Sequence, residues 1–121
     1  MTDRELLENA AKAAGLGSHR YCEPWSAMAA YTLYDGYHGP SWNPLADDGD
    51  ALRLLVRLGS AKVAAMEIGP GGTCLSFFHP EADADEMQEP GKPFDPYAAT
   101  RRAIVRAAAE IGRSDRIQPR R

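Results

Sequence analysis

The chain has 121 residues, a length that fits one domain, and its 14 Lys and Arg against 17 Asp and Glu leave a net charge of −3. Of the 44% of residues that are hydrophobic, twenty residues are alanine, so large apolar side chains are few and the core must be lean. That balance excludes a wholly disordered chain; no apolar run approaches the roughly 18 residues of a membrane span, and the N-terminus lacks a basic-then-apolar secretory pattern, which leads to the expectation of a cytoplasmic protein with one domain over 1–121.

Thr2 followed by Glu5 is a capping-box pair, and Leu6, Leu7, Ala10, Ala13 and Ala14 form the apolar stripe of a first helix over about 3–15. Residues 26–34 alternate as a strand, the Asp35-Gly36 pair is a hairpin signal, and a second strand returns through 37–42. Asp47 or Asp48 caps a second helix over about 48–58. Its Leu52, Leu54, Leu55, Val56 and Leu58 spread over a wide arc, which predicts burial on most of its circumference and a place at the centre of the fold. Residues 62–68 and 73–79 read as a second strand pair joined by Gly69-Pro70-Gly71-Gly72. The acidic, proline-rich stretch 81–96 reads as a long loop. Asp95 caps a last helix with Pro96 at its first position; Arg106 and Glu110 are spaced for an i,i+4 ion pair, Gly112 ends the helix, and 114–121 is a frayed tail. The order α-β-β-α-β-β-α predicts an α+β fold, a small antiparallel or mixed sheet packed by three helices.

Charge is unevenly placed. Residues 21–50 carry five acids and no Lys or Arg, 81–95 carry six acids against Lys92, and 96–121 carry seven arginines against Glu110 and Asp115. Acidic segments and an Arg-bearing helix that screen one another account for this layout. With a sequence pI near 5.6, nucleic acid is not the expected partner.

Motifs for chemistry are weak. His19, Cys22, Cys74 and His79 supply two Cys and two His, but as mixed pairs about fifty residues apart, unlike the tight local pairs of zinc sites. Asp47-Asp48-Gly49-Asp50 is explained as a helix start. Neither cysteine sits in a nucleophile signature, and the Gly69–Thr73 segment lacks the Lys-Ser/Thr ending of a phosphate loop. No catalytic residue, metal site or cofactor is expected. The groups that point to binding are Trp25, Tyr31, Tyr34, Tyr37 and Trp42, with His38 among them. Beside these stand Arg101, Arg102 and Arg106 on the last helix, where Arg suits phosphate. Some of these aromatics are needed by the core.

Three segments, RELLENAAKAAG (4–15), WNPLADDGDALRL (42–54) and DPYAATRRAIVRAAAEIG (95–112), together resemble a group of small phage and prophage proteins of unknown function. Some of that group are described as phage α-β-α sandwich domains, and they are distantly similar to the phage NinX proteins. The resemblance covers about a third of the chain and leaves out Ser18–Ser41 and the middle strands. It implies a viral origin, a helix-sheet-helix sandwich and expression in a bacterial cytoplasm, and it brings no activity or catalytic residue. The expectation is a non-enzymatic phage accessory protein that binds a host protein as a counter-defence or regulatory inhibitor. The alternative is a binder of a small nucleotide signal, with Arg101 or Arg102 on phosphate. In either case a homo-oligomer would give a lean core additional cover.

Overall fold

The computed structural model describes residues 1–59, 63–69, 72–78, 81–87 and 95–117. Along the chain run α1 (Asp3–Ala13), β1 (His19–Cys22), a 3-10 turn (Glu23–Trp25), β2 (Ala27–Thr32), β3 (Gly36–Trp42), α2 (Asp48–Gly59), β4 (Val63–Gly69), β5 (Gly72–Phe78), β6 (Glu81–Met87) and α3 (Pro96–Ile117). This is the expected α+β class with three helices. The strands form two antiparallel three-stranded sheets, β1-β2-β3 and β4-β5-β6.

The helix starts follow from local hydrogen bonding. Thr2 and Glu5 make the reciprocal capping box of α1. The Asp47 carboxylate accepts from the Asp50 amide at 2.8 Å at the start of α2, and the Asp95 carboxylate accepts from the Tyr97 and Ala98 amides at the start of α3. The β2–β3 hairpin turns through Leu33, Tyr34 and Asp35, with the Asp35 amide donating to the Thr32 hydroxyl at 3.0 Å and Gly36 closing the turn at φ +70°. β3 is an edge strand, where Gly39-Pro40 fits: Gly39 takes φ +77°, and the register shifts between Met28 and Ala30 to absorb the extra residues.

The core is built on the contact of α1 with α3. Leu6, Ala10 and Ala14 of α1 pack with Ala103, Ile104, Val105, Ala107, Ala108 and Ala109 of α3, and Ala51 and Leu54 of α2 join them. A smaller cluster of Leu7, Ala11 and Met28 seats the first sheet on α1, while α3 meets β5 and β6. The abundant alanine therefore has a structural use: small side chains let helix backbones approach closely, and they let α3 accept neighbours on both sides.

Several expectations are corrected. α3, not α2, is the centre; α2 buries Ala51 and Leu54 but leaves Leu52 61% and Val56 60% exposed. Segment 81–87, read as part of a loop, is β6, paired along its length with β5. β1 was not anticipated. α3 does not stop at Gly112 but runs on to Ile117, so 114–117 belong to the helix and not to a tail. At Gly112, a Cβ would lie 2.8 Å from the Asn9 carbonyl carbon and 3.3 Å from the Ala13 amide nitrogen; the glycine is there to admit α1. The turn residues Pro70 and Gly71, the rest of the expected 81–96 loop (88–94) and the tail 118–121 lie outside the described residues, as do Lys62 at the expected start of β4 and His79. The Cys74 side chain is likewise outside the description.

Candidate functional site

The first sheet carries the aromatic segment, and its register sorts those aromatics onto different surfaces. Tyr31 pairs directly with Tyr37, and Ala29 with Arg20, so Tyr31, Tyr37, Ala29, Ala27 and Cys22 share the sheet face turned away from α1. On that face Tyr31 and Tyr37 meet with ring centroids 5.0 Å apart and planes tilted by 58°, and Trp25 joins Tyr37 at 6.4 Å and 54°. The Tyr37 hydroxyl donates to the Tyr21 carbonyl at 2.7 Å. Since Tyr37 is on β3 and Tyr21 on β1, the ring crosses β2. This explains why Ala29 is fully buried on an outer face and why small residues line β2 there.

Trp25 reaches this face because the 3-10 turn lifts it. Pro24 starts the turn, and Ser26 ends it in the left-handed conformation at φ 49°, a costly state for a residue with a side chain. It is held there by the Asn43 side-chain amide, which donates to the Ser26 carbonyl at 3.0 Å. Trp25 is 48% exposed and Tyr37 39%. At the hairpin tip Leu33 and Tyr34 are 96% and 97% exposed. Arg20 shares this face through its pairing with Ala29; of the exposed acids near it in the chain, Glu23 pairs with Arg4 at 3.8 Å and Asp35 stands in the hairpin turn.

The other predicted residues are elsewhere. Trp42 pairs with Met28 on the inner face and packs against both core clusters. His38 pairs with Ala30, as does His19, and the two imidazoles are close enough to repel when charged. Burial first, and that repulsion second, push the His19 pKa below its ordinary value. Its Nδ1 is buried and has no hydrogen-bond partner among the described residues.

The arginines of α3 are committed within the fold. Arg101 donates to the Leu45 carbonyl at 2.9 Å and to Asp48 at 2.6 Å. Arg102 bonds Asp3 at 3.0 Å, and Arg106 is paired with Glu86 of β6, not with Glu110, whose partner is Arg113. The guanidiniums that the nucleotide reading draws on are thus held by carboxylates, which is how the acidic segments and the basic helix screen one another.

Sequence reasoning singled out Trp42-Asn43-Pro44-Leu45 for its resemblance but missed its structural use, which is a joint. The Asn43 amide donates to Asp50 at 2.9 Å, its side chain holds Ser26, Pro44 is fully buried, and the Leu45 carbonyl receives Arg101. The joint ties the Trp25 turn, α2 and α3 together. The run Asp47, Asp48 and Asp50 is used for the cap, for Arg101 and for Arg53 respectively. Cys22 is a buried free thiol.

The fold defines an α+β domain. Compared with protein-family models, curated proteins and solved structures, the chain matches none.

Proposed function

We propose that this chain is a phage-encoded, non-enzymatic accessory protein that docks a protein of the bacterial host on the outer face of its first sheet, acting as a counter-defence or regulatory inhibitor. The viral and host part of this reading rests on the resemblance of the three segments. The docking part rests on one observation: Trp25, Tyr31 and Tyr37 form a mutually braced aromatic row continuous in the same sheet with an uncovered Leu33–Tyr34 tip.

Aromatic side chains are the commonest anchors of protein interfaces because they bury a large area for little conformational entropy. Here the braced rings lose less on binding than free ones would, while the tip supplies the first large apolar contacts. At the tip the exposed carboxylate of Asp35, which has no ion pair among the described residues, favours a partner surface bearing Arg or Lys, which would pair with it and lie over the ring faces.

The test is affinity capture from bacterial lysate with the natural chain, a Leu33→Ser/Tyr34→Ser variant and a Trp25→Ala variant. One host protein retained by the natural chain and lost with both variants supports the reading. Equal retention by all three, or retention of no host protein, overturns it.

A further inference from the structure

A concave surface lies on the other face of the first sheet from the aromatic row. It is a groove of about 760 Å³ between the end of α1, the inner face of β3 and α2. We propose that it binds a small amphipathic carboxylate, with the apolar body along Leu16, Trp42, Leu54 and Val56 and the carboxylate on the guanidinium of Arg57.

The volume lies within the roughly 300–1,000 Å³ of ligand pockets, and such pockets are mostly apolar with a few placed polar groups. This groove has that composition. Leu54 is its buried floor, Trp42 its aromatic wall, and Val56 an apolar rim residue that is 60% exposed. Its charges are unequal in status. Asp50, the carboxylate of the groove, already accepts from Arg53 at 2.8 Å and from the Asn43 amide at 2.9 Å, so Asp50 and Arg53 neutralise each other. Arg57 is different: among the described residues its guanidinium has no hydrogen bond, ion pair or ring partner, and the groove keeps one uncompensated positive charge.

The position of that charge is built by the chain. Gly15 adopts φ +77°, which turns the chain after α1, and the position a Cβ would take there is 3.0 Å from Nη2 of Arg57, so the guanidinium lies against this helix end. Arg57 stands at the C-terminal end of α1, where the helix dipole favours a cation. His19, with its unpaired Nδ1, lines the same groove. A planar guanidinium with free donors over an apolar trough is the arrangement that takes a carboxylate bidentately. A neutral or cationic amphipath would find the apolar wall but no partner for its head.

The experiment uses a Trp25→Phe background, which leaves Trp42 as the remaining one of the chain's two tryptophans. Decanoate, decanol and decyltrimethylammonium are titrated by Trp42 fluorescence and by isothermal calorimetry. The expected result is saturable binding of decanoate and binding at least about tenfold weaker for the other two, consistent with a charge-assisted hydrogen bond. Arg57→Gln should weaken decanoate about tenfold and leave decanol unchanged. Arg57 is exposed and its interaction with the end of α1 is worth at most about 1 kcal/mol, so the variant should stay folded with its unfolding midpoint lowered by no more than about 4 °C. Equal binding of decanoate and decanol, no effect of Arg57→Gln, or no decanoate binding by either method overturns the proposal. None of these outcomes touches the docking reading, which concerns the opposite face.

Discussion

Gly112→Ala separates two accounts of the same residue by the sign of its effect. Within a helix, Gly to Ala gains about 1 kcal/mol from propensity alone, so a glycine whose only role were to weaken or end α3 would be improved by the change. The structure predicts the opposite. The added Cβ would stand 2.8 Å from the Asn9 carbonyl carbon, against an ordinary carbon–carbon separation of about 3.5–4.0 Å. It would press still harder on the carbonyl oxygen. The obstacle is backbone, which cannot rotate aside, so α1 and α3 must part by about 1 Å. A gap of that size forfeits roughly a quarter to a half of each dispersion contact along the seam, where Ala10, Ala107 and Ala108 are fully buried. Overpacking of this kind costs about 1–3 kcal/mol, and a backbone clash belongs at or above the upper end. After subtracting the propensity gain, the net destabilisation is about 2 kcal/mol, or about 8 °C in Tm for a domain of this size. Thermal and urea unfolding of the two proteins measure it. An unchanged or raised Tm would refute the close helix pair as the centre of the fold.

The remaining predictions address the joint, the histidine pair and the tip. Arg101 is 19% exposed and satisfies the Leu45 carbonyl, so Arg101→Ala should cost about 2 kcal/mol, whereas Arg102→Ala, removing a surface pair, should cost less than about 1 kcal/mol; equal midpoints in urea would contradict the joint. For His19 the folded chain disfavours the proton, so the unfolded state takes it up first as pH falls. Stability is therefore full above the ordinary histidine pKa of 6.5 and declines as pH drops below it toward the lowered folded value. Urea midpoints at pH 7.5 and 5.5 should differ less in His19→Gln than in the natural chain, and an unchanged pH slope would count against the desolvated imidazole. Leu33→Ser/Tyr34→Ser should leave Tm within about 1–2 °C, because both side chains stand in solvent; a large drop would mean the tip is packed.

The sequence carried the features whose physics is local. Thr2 with Glu5 and Asp95 before Pro96 are side chains bonding backbone three residues away, and such signals survive any tertiary context. The Asp-Gly signal marks the hairpin for the same reason, but not its length: the strand ends at Thr32, not Tyr34, the turn is the three residues Leu33, Tyr34 and Asp35, and Gly36 already pairs with Thr32 in β3. What escaped depends on neighbours distant in the chain. Glu81–Met87 reads as loop because carboxylates and alanine have low strand propensity, yet Glu86 meets Arg102 and Arg106 on α3, and a charged edge strand is a common way to protect a sheet. Gly112 looks like a helix stop until α1 is placed beside it. The apolar arc of α2 overstated its burial because a helical wheel counts side chains and not the neighbours available to cover them. For the site, the aromatic segment was visible as a group, but only the strand register separates Trp25, Tyr31 and Tyr37 from Trp42. The commitment of Arg101, Arg102 and Arg106 was foreshadowed only by the opposite charges of the acidic segments and the last helix.

The central claim, that the aromatic sheet face is where a host protein docks, is tested most directly by placing a photo-crosslinking phenylalanine at position 34 or, as a control, at exposed position 12 on α1. The account predicts that in bacterial lysate position 34 yields a single host-protein adduct that position 12 does not, and that Trp25→Ala abolishes it. The same adduct from both positions, no adduct from position 34, or one indifferent to Trp25→Ala would contradict it.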